Sequence, residues 1–198
     1  MSGIPYQYID KKTDSLKTIE FEHHAIHAGI TFHCHYEHSV SGDNEMVVIA
    51  FNTPDTTKLI HITAAAAVTN QSRLSIIEAP SIDVDEGTQL TIYNRNRSNS
   101  KTSVVSSIEN PPVVNKVTSY DDLQSAGANI TTTDTLDSVV VGVSGGASPV
   151  SMGIGALTRA GSEWVLNKNT QYAFMVQNLS AHANVITLEL NWYEITPK

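Results

Sequence analysis

Cysteine is nearly missing from this chain of 198 residues: Cys34 is the only one. A lone thiol excludes an internal disulfide, a paired-thiolate zinc site and a dithiol redox motif. Charge is also scarce, at 16% of residues against a typical ~25%. Positive charge is the scarcer sign, with 12 Lys and Arg against 20 Asp and Glu and a formal net charge of −8. Such a surface repels a phosphate backbone, so no direct nucleic-acid partner is expected. No apolar run approaches the ~18–20 residues of a membrane-spanning helix, and the longest, 46–51 and 64–68, are strand-sized. No membrane partner is expected either. The opening Met-Ser-Gly-Ile-Pro lacks a basic region followed by an apolar core, so the expectation is a soluble protein made in the cytosol without a secretory signal of its own.

Small neutral polar residues fill the space that charge leaves. Ser, Thr and Asn number 20, 20 and 14, together 54 of 198 positions. Thr fits a pleated surface, while Ser and Asn compete with helical backbone bonds, so this composition favours short strands and turns. The length suits one compact domain. Residues 1–17 have no period and read as an extended N-terminal arm, with the domain proper over 18–198. Strict alternation predicts strands over 18–22, with Ile19 and Phe21 apolar, and over 30–36, with Ile30, Phe32, Cys34 and Tyr36 on one face.

The continuous apolar run 46–51 predicts a strand covered on both faces. Further strands are expected over 58–62, 72–78, 88–93, 102–108, 163–166, 171–176 and 184–195. In the last, Ile186, Leu188, Leu190 and Trp192 form an apolar face. Four alanines at 64–67 favour helix intrinsically, but their β-branched flanks fit tight sheet packing at least as well. Residues 121–125 are the one helical-looking stretch. From about 110 to 161 the chain is dominated by Ser, Thr, Asp, Gly and Ala around Val139, Val140 and Val141, the mark of a loop-rich insertion. Short strands with turn signals every ~8–12 residues predict an all-β, antiparallel sandwich or barrel.

Histidine is the residue type that stands out. Six of eight lie between His23 and His38, and His33 and His35 share a strand face with Glu37. That is the start of a metal site and resembles the H-x-H of the cupin pattern. The pattern then breaks, because Glu37 is too close to His35 and His182 stands outside any glycine-proline motif. An alternating histidine face exposed to solvent or to a subunit is the plainer reading, with no cofactor. Cys34 and His35 are strand neighbours on opposite faces and cannot act as nucleophile and base. Cys34 reads as a buried hydrophobe. No G-x-S-x-G elbow, Walker A loop or dinucleotide fingerprint is present. Asp83, Asp85 and Glu86 read as a solvated acidic turn ahead of a calcium site. No constellation reads as an active site, so no enzyme is expected.

Longer stretches carry a resemblance. His23-His24-Ala25-Ile26-His27-Ala28-Gly29-Ile30-Thr31-Phe32, then Phe51-Asn52-Thr53-Pro54 and Ile60-His61-Ile62, then Glu86-Gly87-Thr88 and Tyr93-Asn94-Arg95-Asn96-Arg97, and finally Trp164-Val165-Leu166 through Tyr172 to Trp192-Tyr193-Glu194 resemble the small head decoration, or cement, proteins of tailed bacteriophages. The resemblance implies a β-sandwich of jelly-roll type on the outer surface of a virion capsid. The protein would be synthesised in the host cytoplasm, bound to the major capsid protein, and assembled as a homotrimer in preference to a dimer. It would stabilise the head lattice against internal DNA pressure. Expected contacts are Tyr6 and Tyr8 on the arm and Arg95, Arg97 and Lys101, three of the twelve basic residues on one polar loop. Two other classes stay open. One is a glycan- or receptor-binding virion module with exposed aromatics over 119–161 or beside Trp164, and the other is a cupin-like metal enzyme using His33 and His35.

Overall fold

Strictly alternating side chains bury one face when the chain is extended, not when it is coiled. In the computed structural model, which describes residues 21–78, 88–105, 108–110, 135–142 and 163–197, such segments form two antiparallel sheets. The five-stranded sheet runs in the order β6 (Tyr93–Asn94), β1 (Thr31–Val40), β11 (Asn184–Ile195), β3 (Leu59–Val68), β9 (Trp164–Leu166). The six-stranded sheet runs β5 (Thr88–Gln89), β7 (Ile108–Asn110), β2 (Met46–Asn52), β10 (Gln171–Asn178), β4 (Ser72–Glu78), β8 (Thr135–Val141). The all-β sandwich expected from composition is the architecture found.

The pairing has a simple logic. β1 pairs with β11, β2 with β10, β3 with β9 and β4 with β8, as in one long ribbon folded at its middle. Rolling that ribbon lays β11 against β3 and β10 against β4, and the sheets close around one core.

The core follows the alternation. On β11, Ile186, Leu188, Leu190 and Trp192 point inward, and in register Leu188 faces Ala66 and Leu190 faces Ala64. The alanine run is therefore strand; its small inward side chains make room for the leucines beside them. Phe32 packs on Trp192 at 5.8 Å between ring centroids, and Phe51 stacks on Phe174 at 5.8 Å. β2 and β10 are buried on both faces, which explains the unbroken apolar run at 46–51.

Three expectations change. Residues 21 and 22, read as strand, open the helix α1 (Phe21–His27). Two alternating apolar residues are too few to fix a strand against a strong C-terminal stop. Here the stop is Gly29 at φ 66°, whose N–H bonds Ile26 O while the N–H of Ile30 bonds Ala25 O. That is the glycine-terminated cap in which the carbonyls of the last turn are satisfied. A Cβ on Gly29 would also lie 2.3 Å from the Asn99 side chain. Second, the strand read over 88–93 is two short pieces, β5 in one sheet and β6 in the other, so the chain crosses the sandwich edge between them. Third, the strand read over 102–108 reduces to β7, while residues 101–105 run as an irregular segment with Val105 buried. Within the loop-rich stretch 110–161, residues 135–141 form β8, whose Val139 packs on the core and Val141 is buried in it. The arm 1–17 and the stretch 121–125 lie outside the described residues.

Candidate functional site

The loop after β6 is built by asparagine. Asn94, Asn96 and Asn99 each accept, through Oδ1, the N–H of the residue two positions on, at 2.9, 3.1 and 2.9 Å. These turns suit a side chain that mimics backbone. The same loop closes the end of α1. Asn94 Nδ2 donates to Gly29 O at 3.0 Å, Asn96 Nδ2 to His27 O at 3.1 Å and Lys101 Nζ to Ala28 O at 2.9 Å. Arg95, Arg97 and Lys101 are exposed. Their roles differ, since Lys101 fastens the loop to the helix and the Arg97 guanidinium lies 5.4 Å over the Tyr93 ring. Tyr6 and Tyr8 lie outside the described residues, as do Asp83, Asp85 and Glu86.

Arg95 also reaches the outer face of the five-stranded sheet, because its N–H bonds Thr31 O at the edge of β1. There a hollow of about 190 Å³ is lined by Thr31, His61, Thr63, Arg95, Glu163, Asn191, Trp192 and Tyr193. The register sets it out: Thr31 pairs with Tyr193, Tyr193 with His61, and His61 with Val165, all on the outward parity. His61 and Tyr193 stack at 4.5 Å between centroids. Glu163 Oε1 accepts from both, at 2.6 Å from His61 Nδ1 and 2.7 Å from Tyr193 Oη. A carboxylate only accepts, so Nδ1 carries the proton in that bond. Burial, reinforced by the Glu163 carboxylate, pushes the Tyr193 phenol up from its ordinary value.

His33 and His35 stack at 5.5 Å on the same face, and His33 Nδ1 lies 3.1 Å from Asn191 Oδ1. Among the described residues no three His, Cys, Asp or Glu side chains come together in a group fit to hold a metal ion. His182 lies in the turn before β11, beside the Val40–Asn184 pair and away from His33. Cys34 is buried, and burial pushes its thiol up to about 12, which removes it as a nucleophile. Trp164 is half-buried and packs on the core, so it offers no flat exposed platform. The exposed apolar side chain on that strand is Val165, 51% exposed.

Sequence reasoning singled out Arg95 but missed Thr31, His61, Glu163, Asn191 and Tyr193 as a group. Thr31, His61, Asn191 and Tyr193 sit on outward strand positions and Glu163 immediately precedes β9, so parity is the one signal the sequence carries for the first four. No family model, curated protein or solved structure matches this chain.

Proposed function

We propose that this chain is a non-enzymatic virion structural protein of the decoration type. It binds the outer surface of an assembled capsid through the major capsid protein and holds the head lattice against internal DNA pressure. The observation that carries this reading is the convergence of the segments that resemble decoration proteins. Residues 23–32, 93–97 and 192–194 lie far apart in sequence and meet at one corner. Phe32 pairs with Asn94 and with Trp192, Asn96 caps His27, and the N–H of Glu194 bonds Ile30 O. Residues 51–54 and 164–172 likewise meet, with Phe51 opposite Tyr172 and the Thr53 hydroxyl bonded to Asn167 O at 2.7 Å. A shared pattern of residues that hold one framework together is what a structural family would retain. The ribbon-like pairing, β1·β11 through β4·β8, supports the jelly-roll form of that framework.

The mechanism is linkage. A protein that binds only the closed lattice stabilises it by RT ln(1 + [L]/Kd) per site, and several subunits of one oligomer engaging neighbouring capsomers raise avidity without any strong single contact. A trimer is favoured over a dimer. The arm 1–17, with Tyr6 and Tyr8, adds a strand or strap on a neighbouring subunit, and Arg95 and Arg97 face an acidic patch of the shell.

Immunogold labelling of intact virions with antibody to the purified protein tests this reading. Label spread over the head is expected. Label confined to the tail, or absent from every particle, overturns it.

A further inference from the structure

We propose that the hollow on the outer face of the five-stranded sheet is a binding site for one neutral sugar residue. It stands on the geometry of this chain and does not depend on the virion reading.

Four buried side-chain polar atoms among the described residues have no hydrogen-bond partner in the protein, and two of them, Thr31 Oγ1 and His61 Nε2, belong to this one lining. Thr31 is 2% exposed. A buried polar atom without a partner is costly, and two in one wall mark a surface shaped for something that completes them. The other two, Trp164 Nε1 and Gln177 Oε1, lie outside this lining. Asn184, 1% exposed, makes six side-chain bonds.

The lining dictates the ligand's chemistry. In the tautomer whose Nδ1–H donates to Glu163, His61 Nε2 is an acceptor. The Thr31 hydroxyl both donates and accepts, and Arg95 brings only donors. Tyr193, stacked on His61, adds aromatic surface. A ring carrying several hydroxyls, each able to give and take, matches this alternation, with its C–H face against the aromatics. Phosphate or a carboxylate does not match, because the Glu163 carboxylate forms part of the wall and the chain carries a net charge of −8. The volume is about six waters' worth at ~30 Å³ each, the scale of one sugar ring and below the ~300 Å³ floor of pockets for larger ligands. Such a site binds weakly alone. Repeated over many copies, weak contacts gain ~10²–10⁴ through avidity.

The test is an amide and side-chain NMR titration of the full chain with glucose, galactose, mannose and N-acetylglucosamine in turn. Inorganic phosphate is titrated in parallel. One of the sugars is expected to give saturable shifts at Thr31, His61, Asn191 and Tyr193, with Kd on the order of 1 mM. Thr31→Val keeps the side chain's shape and the fold but weakens that binding about tenfold, and Arg95→Gln, at an exposed position, weakens it as well. Glu37→Gln, further along the same strand face, leaves it unchanged. The proposal is overturned if no sugar saturates, if phosphate alone moves these resonances, or if Thr31→Val binds as the parent does.

Discussion

Glu194 holds Lys58 at 3.1 Å from inside the sandwich, its carboxylate fully buried while the lysine side chain is about one-third exposed. The other carboxylate oxygen takes the Ser103 hydroxyl at 2.5 Å and the Val104 N–H at 2.8 Å. Ser103 Oγ in turn accepts from Trp192 Nε1 at 3.2 Å. One side chain near the end of β11 therefore fixes the segment after the asparagine loop. Glu194→Gln keeps the size but gives up the charge and an acceptor. It is expected to cost about 1–3 kcal/mol, read as a lower denaturant midpoint with an unchanged m-value.

At the opposite end, Asn184 and Asn178 bond each other at 3.1 Å and tie together the turns at 42–44, 69–72 and 178–182. Asn184→Ala strands several buried groups at once. A loss of about 3 kcal/mol or more is expected from equilibrium unfolding, several times the effect of Asn70→Ala at the solvent-facing edge of the same network.

Gly29→Ala meets two obstacles, a positive φ and the Asn99 side chain. The backbone term alone is about 1–2 kcal/mol. Removing Asn99 as well relieves the contact but not the φ, so the double variant Gly29→Ala/Asn99→Ala is expected to stay at least ~1 kcal/mol below Asn99→Ala alone. Thermal melts of the four proteins check this.

The raised Cys34 thiol sets an alkaline limit. Its folded pKa of about 12 lies above the unfolded value near 9, so the native state keeps a proton that the unfolded chain loses. The contribution is complete below pH ~9, and stability falls by up to ~1.4 kcal/mol per pH unit from there towards pH ~12. Burial also raises Tyr172, with Glu78 adding to it, and Tyr193, so both push the same way above pH ~10. Cys34→Ala should flatten the decline between pH 9 and 10, and native protein at pH 8 should resist iodoacetamide until denaturant is added.

Capsid binding should separate the arm from the fold. Deleting residues 1–17 is expected to abolish binding to purified heads while leaving the far-ultraviolet spectrum and melting temperature in place, and unchanged binding would remove the arm from the contact. Arg97→Glu should weaken binding, while Lys101→Gln should act first on stability, through the lost bond to Ala28 O.

Most of the framework was legible because a strand with one wet face writes its period into the sequence. β1 and β11 show it residue by residue, and β2 shows burial on both faces. What escaped was local or composite. Helix α1 depends on Gly29 and on carbonyl partners from a loop some seventy residues away. The division of 88–94 between two sheets depends on where the free edges of β1 and β7 lie. The hollow draws Thr31, His61, Glu163 and Tyr193 from four places in the chain, and only the register puts them side by side. The basic residues Arg95, Arg97 and Lys101 were visible as a cluster, but only the bond to α1 distinguishes Lys101 from the other two.

The ribbon pairing has a consequence for how the protein is made. The two latest strands each join two earlier ones: β10 lies between β2 and β4, and β11 between β1 and β3. During synthesis at ~5–20 residues per second, β1 waits on the order of ten seconds before its partner leaves the ribosome. Throughout that interval the early strands have open edges and exposed apolar faces, and no partial sheet can close. Both sheets can therefore be completed only after residues 184–195 have emerged, and shielding of the early strands until then is expected to raise the folded yield.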